Sequence, residues 1–194
     1  MKITSLAIAA ASLFAAASAH AEFVTLTFED TSNNSSVAGA YPIGTFSDSA
    51  VYANDAGDNK AMFVNTALGA TQSVFNAGSG GGFIDSLSFA YANLSGAVGS
   101  VSVWSGLDGS GTQLTSFSLG DNSASADLQT LSTWTSVSQA FSGTALSIVF
   151  GANDGNIVFD NVTVNAVPLP AAALLFPLGA AALGLARRKR QIDA

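Results

Sequence analysis

The 194-residue chain contains no cysteine and one histidine, His20. No disulfide framework can brace it, so stability has to come from a packed core or a bound ion. Between residues 22 and 166 there is no arginine, and Lys60 is the only basic residue. These absences remove whole classes of chemistry from that segment. Ser-His-Asp and Cys-His nucleophilic sites have no base, zinc has no imidazole or thiolate ligand, and phosphate has no guanidinium clamp. No sustained helical period and no 20- to 50-residue repeat occurs there either. The run GSGGG at 78–82 lacks the lysine and the following helix of a phosphate loop, and reads as a flexible connection.

What is present is acidic. Residues 22–166 hold twelve aspartates and glutamates against Lys60, a net charge of −11. Such a field excludes nucleic acid as a partner and repels anionic membrane surfaces. Divalent cations and neutral polysaccharides remain compatible with it.

The pattern in this segment is that of strands. Residues 22–30, EFVTLTFED, alternate with Val24, Leu26 and Phe28 on one face. In GFIDSLSFAY from Gly82, Phe83, Leu87, Phe89 and Tyr91 oppose Ser86 and Ser88, the period of two expected of a half-buried strand. Further short runs begin at Ala61 and Thr71 and cover 100–104, 113–119, 134–141 and 146–150. The last run, NIVFDNVTVN at 156–165, is apolar on both sides and reads as a central strand. Gly106, Asp108, Gly109 and Gly111 mark a glycine-rich hairpin loop between 100–104 and 113–119. About nine strands at this spacing predict an all-β domain, a β-sandwich or jelly roll spanning 22–166.

Both flanks have membrane-directed composition. Residues 1–21 carry Lys2, an apolar run over 6–17 and small residues before Ala19-His20-Ala21, the pattern of a secretory signal peptide cleaved after Ala21 or Ala19. Residues 167–194 read VPLPAAALLFPLGAAALGLARRKRQIDA. They comprise the motif Val167, Pro168, Leu169, Pro170 and Ala171, an apolar span over 171–186, and the basic end Arg187, Arg188, Lys189 and Arg190. Residues 167–186 are free of charge and, as a helix rising about 1.5 Å per residue, just reach across a bilayer's hydrocarbon core. The four cations beside the span hold that end in the cytoplasm and place residues 22–166 outside. A plain single-pass anchor accounts for the same residues.

Motif, span and basic end in that order resemble the VPLPA variant of the PEP-CTERM sorting signals of Gram-negative bacteria. The resemblance implies an exported protein held briefly in the inner membrane and processed by an exosortase-type membrane protease. It implies delivery to the cell surface or extracellular space in association with exopolysaccharide. Leu169 stands where the commoner form of the signal has glutamate, so the particular sorting enzyme stays open.

Within the domain only carboxylates and aromatic rings offer chemistry. Glu29 and Asp30 after the first strand, Asp55, Asp58 and Asn59 in NDAGDNK, and Asp160 with Asn161 on the last strand are the candidate calcium ligands, since a hard cation takes clustered oxygens. None matches an EF-hand loop, and turn formation with surface charge explains the same residues. An acidic pair closing the first strand, with FDN on the last, is similar to jelly-roll carbohydrate-binding modules, in which those strands are neighbours and an aspartate can hold a structural calcium. Tyr41, Tyr52, Tyr91, Trp104 and Trp134 are the rings available for stacking on sugars. Alternation singles out Trp104, on the face of Ser100 and Ser102 and opposite Val101 and Val103. No carboxylate pair suited to glycoside hydrolysis is apparent. The expected protein is therefore a non-enzymatic surface or matrix component, with a carbohydrate-binding module carrying structural calcium as the alternative.

Overall fold

The computed structural model describes residues 20–32, 35–39, 41–47, 50–54, 60–64, 69–94, 96–122, 133–152 and 156–167, with only the backbone for 50–54 and 152. The apolar run of the signal peptide, the group at 55–59, the span at 171–186 and the basic end at 187–190 lie outside the described residues.

Among the described residues eleven strands follow one another: β1 Glu22–Leu26, β2 Gly44–Phe46, β3 Ala50–Asn54, β4 Lys60–Val64, β5 Gln72–Ala77, β6 Gly82–Asn93, β7 Gly99–Trp104, β8 Gln113–Leu119, β9 Thr135–Ala140, β10 Ser147–Ala152 and β11 Ile157–Val167. They form two antiparallel sheets. The first has the order β3-β4-β11-β6-β9, with β1 also on β11, and the second the order β2-β5-β10-β7-β8. From β5 onward the chain passes repeatedly between the sheets, so the core closes only when distant segments meet. The expected β-sandwich is what the chain forms.

Strand β11 is the axis of the first sheet. One edge pairs with β6, while the other is shared by β4 at Val158 and Phe159 and by β1 at 162–166. Ile157 and Phe159 point into the core, and beyond the irregularity at 160–163 the inward set becomes Val162, Val164 and Ala166. Asn161, with φ of 51°, makes this change of parity possible, since asparagine tolerates the left-handed region better than most residues. Val158 faces outward but is buried by Ala61, Ala92, Phe63, Leu94 and Trp134. The first part of β11 is thus covered on both faces, as its doubly apolar sequence predicts.

Aromatic rings fill the space between the sheets. Phe46 of β2 stacks on Phe75 of β5 at 4.5 Å between centroids, and Phe75 stacks across the sandwich on Phe83 of β6 at 5.3 Å. Phe150 of β10 meets Phe159 of β11 edge-on at 5.0 Å, and Phe89 stacks on Phe117 at 5.5 Å.

Three features differ from the sequence expectation. The first strand stops at Leu26 rather than running to residue 30, because Phe28 adopts a φ of 62°. That conformation costs about 1–2 kcal/mol for an L-residue. It is offset by complete burial of the ring against Tyr41 and Phe46, while the Phe28 N–H donates to Tyr41 Oη. Strands β2 and β3 are additional. β2 is only three residues long and packs so closely on β5 that a Cβ at Gly44 would strike Asn76 O and the Phe75 ring. Val167, the first residue of the VPLPA motif, is the last residue of β11, in register with Gly82.

Phe150 is fully buried and joins rings from both sheets, with Phe46, Phe89 and Phe159 around it. Phe150→Ala is expected to lower the unfolding free energy by about 3–5 kcal/mol. Equilibrium urea unfolding measures the loss, with an unchanged slope as the check that the variant still unfolds from the native fold.

Candidate functional site

The outer face of the first sheet is set by the same alternation that builds the core. With Leu87, Phe89, Val162 and Val164 inward, the residues left outside are Ser88 and Ala90 on β6 and Thr163 and Asn165 on β11. On β9, where Val137 packs inward, Ser136 and Ser138 lie outside, and on β1 Phe23 and Thr25 do so. Pairing register aligns four of them in one row across four strands: Ser138 opposite Ser88, Ser88 opposite Thr163, and Thr163 opposite Thr25. Strands lie about 4.8 Å apart, so hydroxyls recur at that spacing over roughly 15 Å. Thr25 Oγ1 and Thr163 Oγ1 are hydrogen-bonded at 2.8 Å.

An open trough of about 440 Å³ lies over Ser138, Ser88 and Thr163 of this row and is lined also by Ala90, Ser136 and Asn161, while Thr25 falls outside it. Among the described residues no ionisable side chain lines it. Asn161 forms its rim at the β11 irregularity, where its N–H and Nδ2 donate to Oδ1 and Oδ2 of Asp160 at 2.6 and 3.0 Å. Hydroxyls and amides both donate and accept, so the surface matches a ligand that does the same and carries no charge. Among the described residues no acid, base or nucleophile pair lies along it.

Of the residues singled out from the sequence, Asn161 lines this trough and Asp160 is bonded to it, while the others fall elsewhere. Glu29 and Asp30 occupy an exposed turn. Glu29 Oε1 accepts from the Lys60 N–H at 3.0 Å, and Glu29 O accepts from Lys60 Nζ at 2.8 Å. Asp160 is bonded to its own neighbour, and among the described residues no group of three or more His, Asp or Glu side chains converges. Of the sorting motif only Val167 is described. Pro168, Leu169, Pro170 and Ala171 are not.

Among the aromatic candidates Tyr41 and Tyr91 belong to the core, and Trp134 packs on the small apolar cluster outside β11. Trp104 is half-buried on the outer face of the second sheet, where Nε1 donates to Ser102 Oγ at 2.8 Å. The glycine-rich loop beside it folds back onto that face. Asn76 and Asp108 exchange two hydrogen bonds, and Ser147 Oγ donates to Gly106 O while accepting from the Gly109 N–H. The second sheet is therefore partly roofed by its own loop, whereas the trough on the first is open. The serine–threonine row was not singled out from the sequence, although its signal is there: TLT, SLSFA and TSVSQ each alternate hydroxyl and apolar residues.

No protein-family model and no curated protein matches the chain. Among solved structures it is similar to a family 6 carbohydrate-binding module from Clostridium stercorarium in complex with cellobiose, at 17% identity and a TM-score of 0.43, covering 74% of this chain and 93% of that one. It is similar to a family 29 carbohydrate-binding module variant at 18% identity and a TM-score of 0.45, covering 75% and 85%. A third is the family 6 module of Cellvibrio mixtus lichenase 5A in complex with cellotriose, at 14% and 0.41, covering 73% and 95%. At such distances no ligand and no site residue transfers from them.

Because Trp104 lies outside the core and its indole N–H bonds a residue only two positions away, Trp104→Ala is expected to cost well below the roughly 3–5 kcal/mol of a buried tryptophan. Urea unfolding of the variant measures it, and a loss at the upper end would show the indole to be a packing element of the second sheet.

Proposed function

We propose that the chain is an exported, non-catalytic glycan-binding protein of the cell surface or extracellular matrix, which takes neutral polysaccharide on the outer face of its first sheet. The observation that carries this reading is the trough over three hydroxyl residues in register, Ser138, Ser88 and Thr163, with no ionisable residue among those described in its lining, on a domain whose net charge is −11. A flat, neutral, hydroxylated surface pairs with the hydroxyls of a sugar chain without desolvating a charge. Export through a signal peptide over 1–21 and sorting through 167–194 by an exosortase-type protease complete the proposal. The end of β11 at Val167 supports a cleavage site C-terminal to that residue, since Val167 is held in the sheet while Pro168 and Pro170 disfavour helix in the residues before them.

Binding is tested by titrating the purified domain with neutral soluble glucans, xylans and mannans. Saturable binding is expected, weakened at least tenfold in Ser138→Glu, which places a charge and bulk in the trough. Equal affinity in Ser138→Glu, with loss instead in Trp104→Ala, would move the site to the second sheet.

The tail is tested separately by intact-mass measurement of protein recovered from the cell surface. The surface form is expected to lack residues 187–190 and most of 171–186, and Pro168→Ala with Pro170→Ala to leave the full chain in the inner membrane. A surface form ending at Ala194 would restore the plain anchor.

A further inference from the structure

Strand β9 is the edge of the first sheet beside β6, and among the described residues nothing pairs with its other side. Its pairing with β6 is regular over all of Thr135–Ala140, and none of these residues is buried. Edge strands are normally blunted by charge, proline, a bulge or short length, because a row of free N–H and C=O groups is a template for another strand. The edges of the second sheet follow that rule: β2 has three residues, and β8 is irregular opposite Trp104. Strand β9, TSVSQA, has none of these devices. Alternation decides which of its groups are free. The Phe141 N–H donates to Asp85 O on β6 at 2.9 Å, so the odd-numbered residues of β9 turn their N–H and C=O groups to β6, and Ser136, Ser138 and Ala140 turn theirs away. Ala140 O accepts from Gln139 Nε2 at 3.0 Å, which leaves Ser136 and Ser138 with both groups open among the described residues. Val137 between them is only half-buried although it packs on the core, as are Leu114 and Phe117 of β8, so the core is incompletely covered along this side.

We infer that β9 pairs antiparallel with β9 of a second copy of this chain, about a two-fold axis at Val137. The edge itself specifies the occupant. Free N–H and C=O groups call for an extended backbone, and two residues carrying them symmetrically about a third are matched by the same arrangement turned through a two-fold. Ser136 then exchanges both backbone bonds with Ser138 of the second copy, and Ser138 does so with Ser136. Val137 meets its own copy and covers the half-buried side of the core. No charged residue lies in β9, so two domains of net charge −11 meet along a neutral line. A two-fold pair uses up the edge, and association stops at two copies. The pairing stands on the edge geometry, while its consequence rests on the glycan-binding reading and deepens it. Ser136 and Ser138 also line the trough. Joining the sheets at β9 therefore runs two troughs together, and the row Thr163, Ser88, Ser138 continues into Ser136 of the second copy. One neutral glycan chain laid across the joint touches both copies, and its second contact is intramolecular, which raises affinity without a new kind of contact.

The chain has no cysteine, so a single introduced one can form a disulfide only between copies. On this axis Val137 opposes itself in a non-hydrogen-bonded pair, with Cα atoms about 4.5 Å apart and within disulfide reach. Gln139 opposes Thr135 instead, and the two copies of Gln139 are separated by four residues of strand, about 13 Å and beyond any bridge. The full chain is expressed, oxidised in place and run without reductant. At least tenfold more disulfide-linked dimer is expected from Val137→Cys than from Gln139→Cys. Co-expressed Thr135→Cys and Gln139→Cys chains should cross-link to each other although neither does so alone, which keeps the test independent of any effect of Val137→Cys on folding. Equal yields from Val137→Cys and Gln139→Cys, or no dimer from Val137→Cys and from the co-expressed pair, would overturn the pairing. Oxidised Val137→Cys is expected to bind long neutral glucan, xylan or mannan chains at least tenfold more tightly than the same variant reduced and diluted, and equal affinity would overturn the joining of the troughs. A cross-linked dimer that binds no neutral glycan would leave the pairing and overturn the glycan-binding reading. Saturable glycan binding by a chain that gives no specific cross-link would leave that reading and overturn the pairing.

Discussion

The sandwich depends on strand β11 being satisfied along both edges and, in its first part, covered on both faces. One edge takes the whole of β6, the other is divided between β4 and β1, and Val158 is sealed from outside by Phe63, Leu94 and Trp134. Because β1 and β11 come from opposite ends of the domain, this pairing closes the sheet only when the whole chain is present. Contacts of such sequence separation are the slow and entropically costly ones to form. In a domain without disulfides, the apolar surface buried around β11 has to offset that cost.

The irregularity at Asp160 and Asn161 lets one strand serve two purposes. Before it, odd-numbered residues fill the core. After it, even-numbered residues do, and Thr163 and Asn165 turn to the outer face. An uninterrupted β11 would have directed Thr163 and Asn165 into the aromatic core, where their polar groups would compete with Phe83 and Phe89 for space. The same short sequence, FDN, that suggests a metal ligand is thus accounted for by backbone geometry. Its aspartate caps the turn that its asparagine makes.

Much of the fold was legible because period-two alternation is a direct consequence of strand geometry. Phe83, Leu87, Phe89 and Tyr91 share the inward face of β6 as read from the sequence, the hairpin of β7 and β8 carries its glycine-rich loop, and β11 is central. β2 escaped because three residues are too few to show a period, and the end of β1 because a buried phenylalanine in a left-handed conformation contradicts local preference and is held only by tertiary contacts. The candidate site was legible only in part. That Ser88 faces outward follows from alternation, but that Ser138, Ser88, Thr163 and Thr25 fall in one row is a property of register between strands far apart in sequence. Periodicity within one strand carries no information about that.

The placement of charge bears on what the faces are for. An acidic domain has no electrostatic reason to keep its broad surfaces neutral, since carboxylates spread over them would repel one another less than when crowded into fewer places. Apart from Glu22 at the start of β1, the described acidic residues within the sandwich nevertheless sit in turns and irregularities. Glu29 and Asp30 lie in the turn after β1, Asp85 where β6 bulges, Asp108 in the β7–β8 loop, Asp121 after β8, and Asp160 where β11 shifts register. Several have local work there: Asp108 holds Asn76, Asp121 accepts from the Gly96 N–H at 3.0 Å, and Asp160 accepts from Asn161. Charge is thus spent on chain reversals and on solubility, and the flat part of the first sheet is left to serine, threonine and alanine. Those residues are poor contributors to strand stability compared with the β-branched and aromatic residues of the inner face, threonine excepted. Two of the four residues aligned across the strands, Thr25 and Thr163, are good strand formers, so the row stays uncharged while keeping half of its strand propensity.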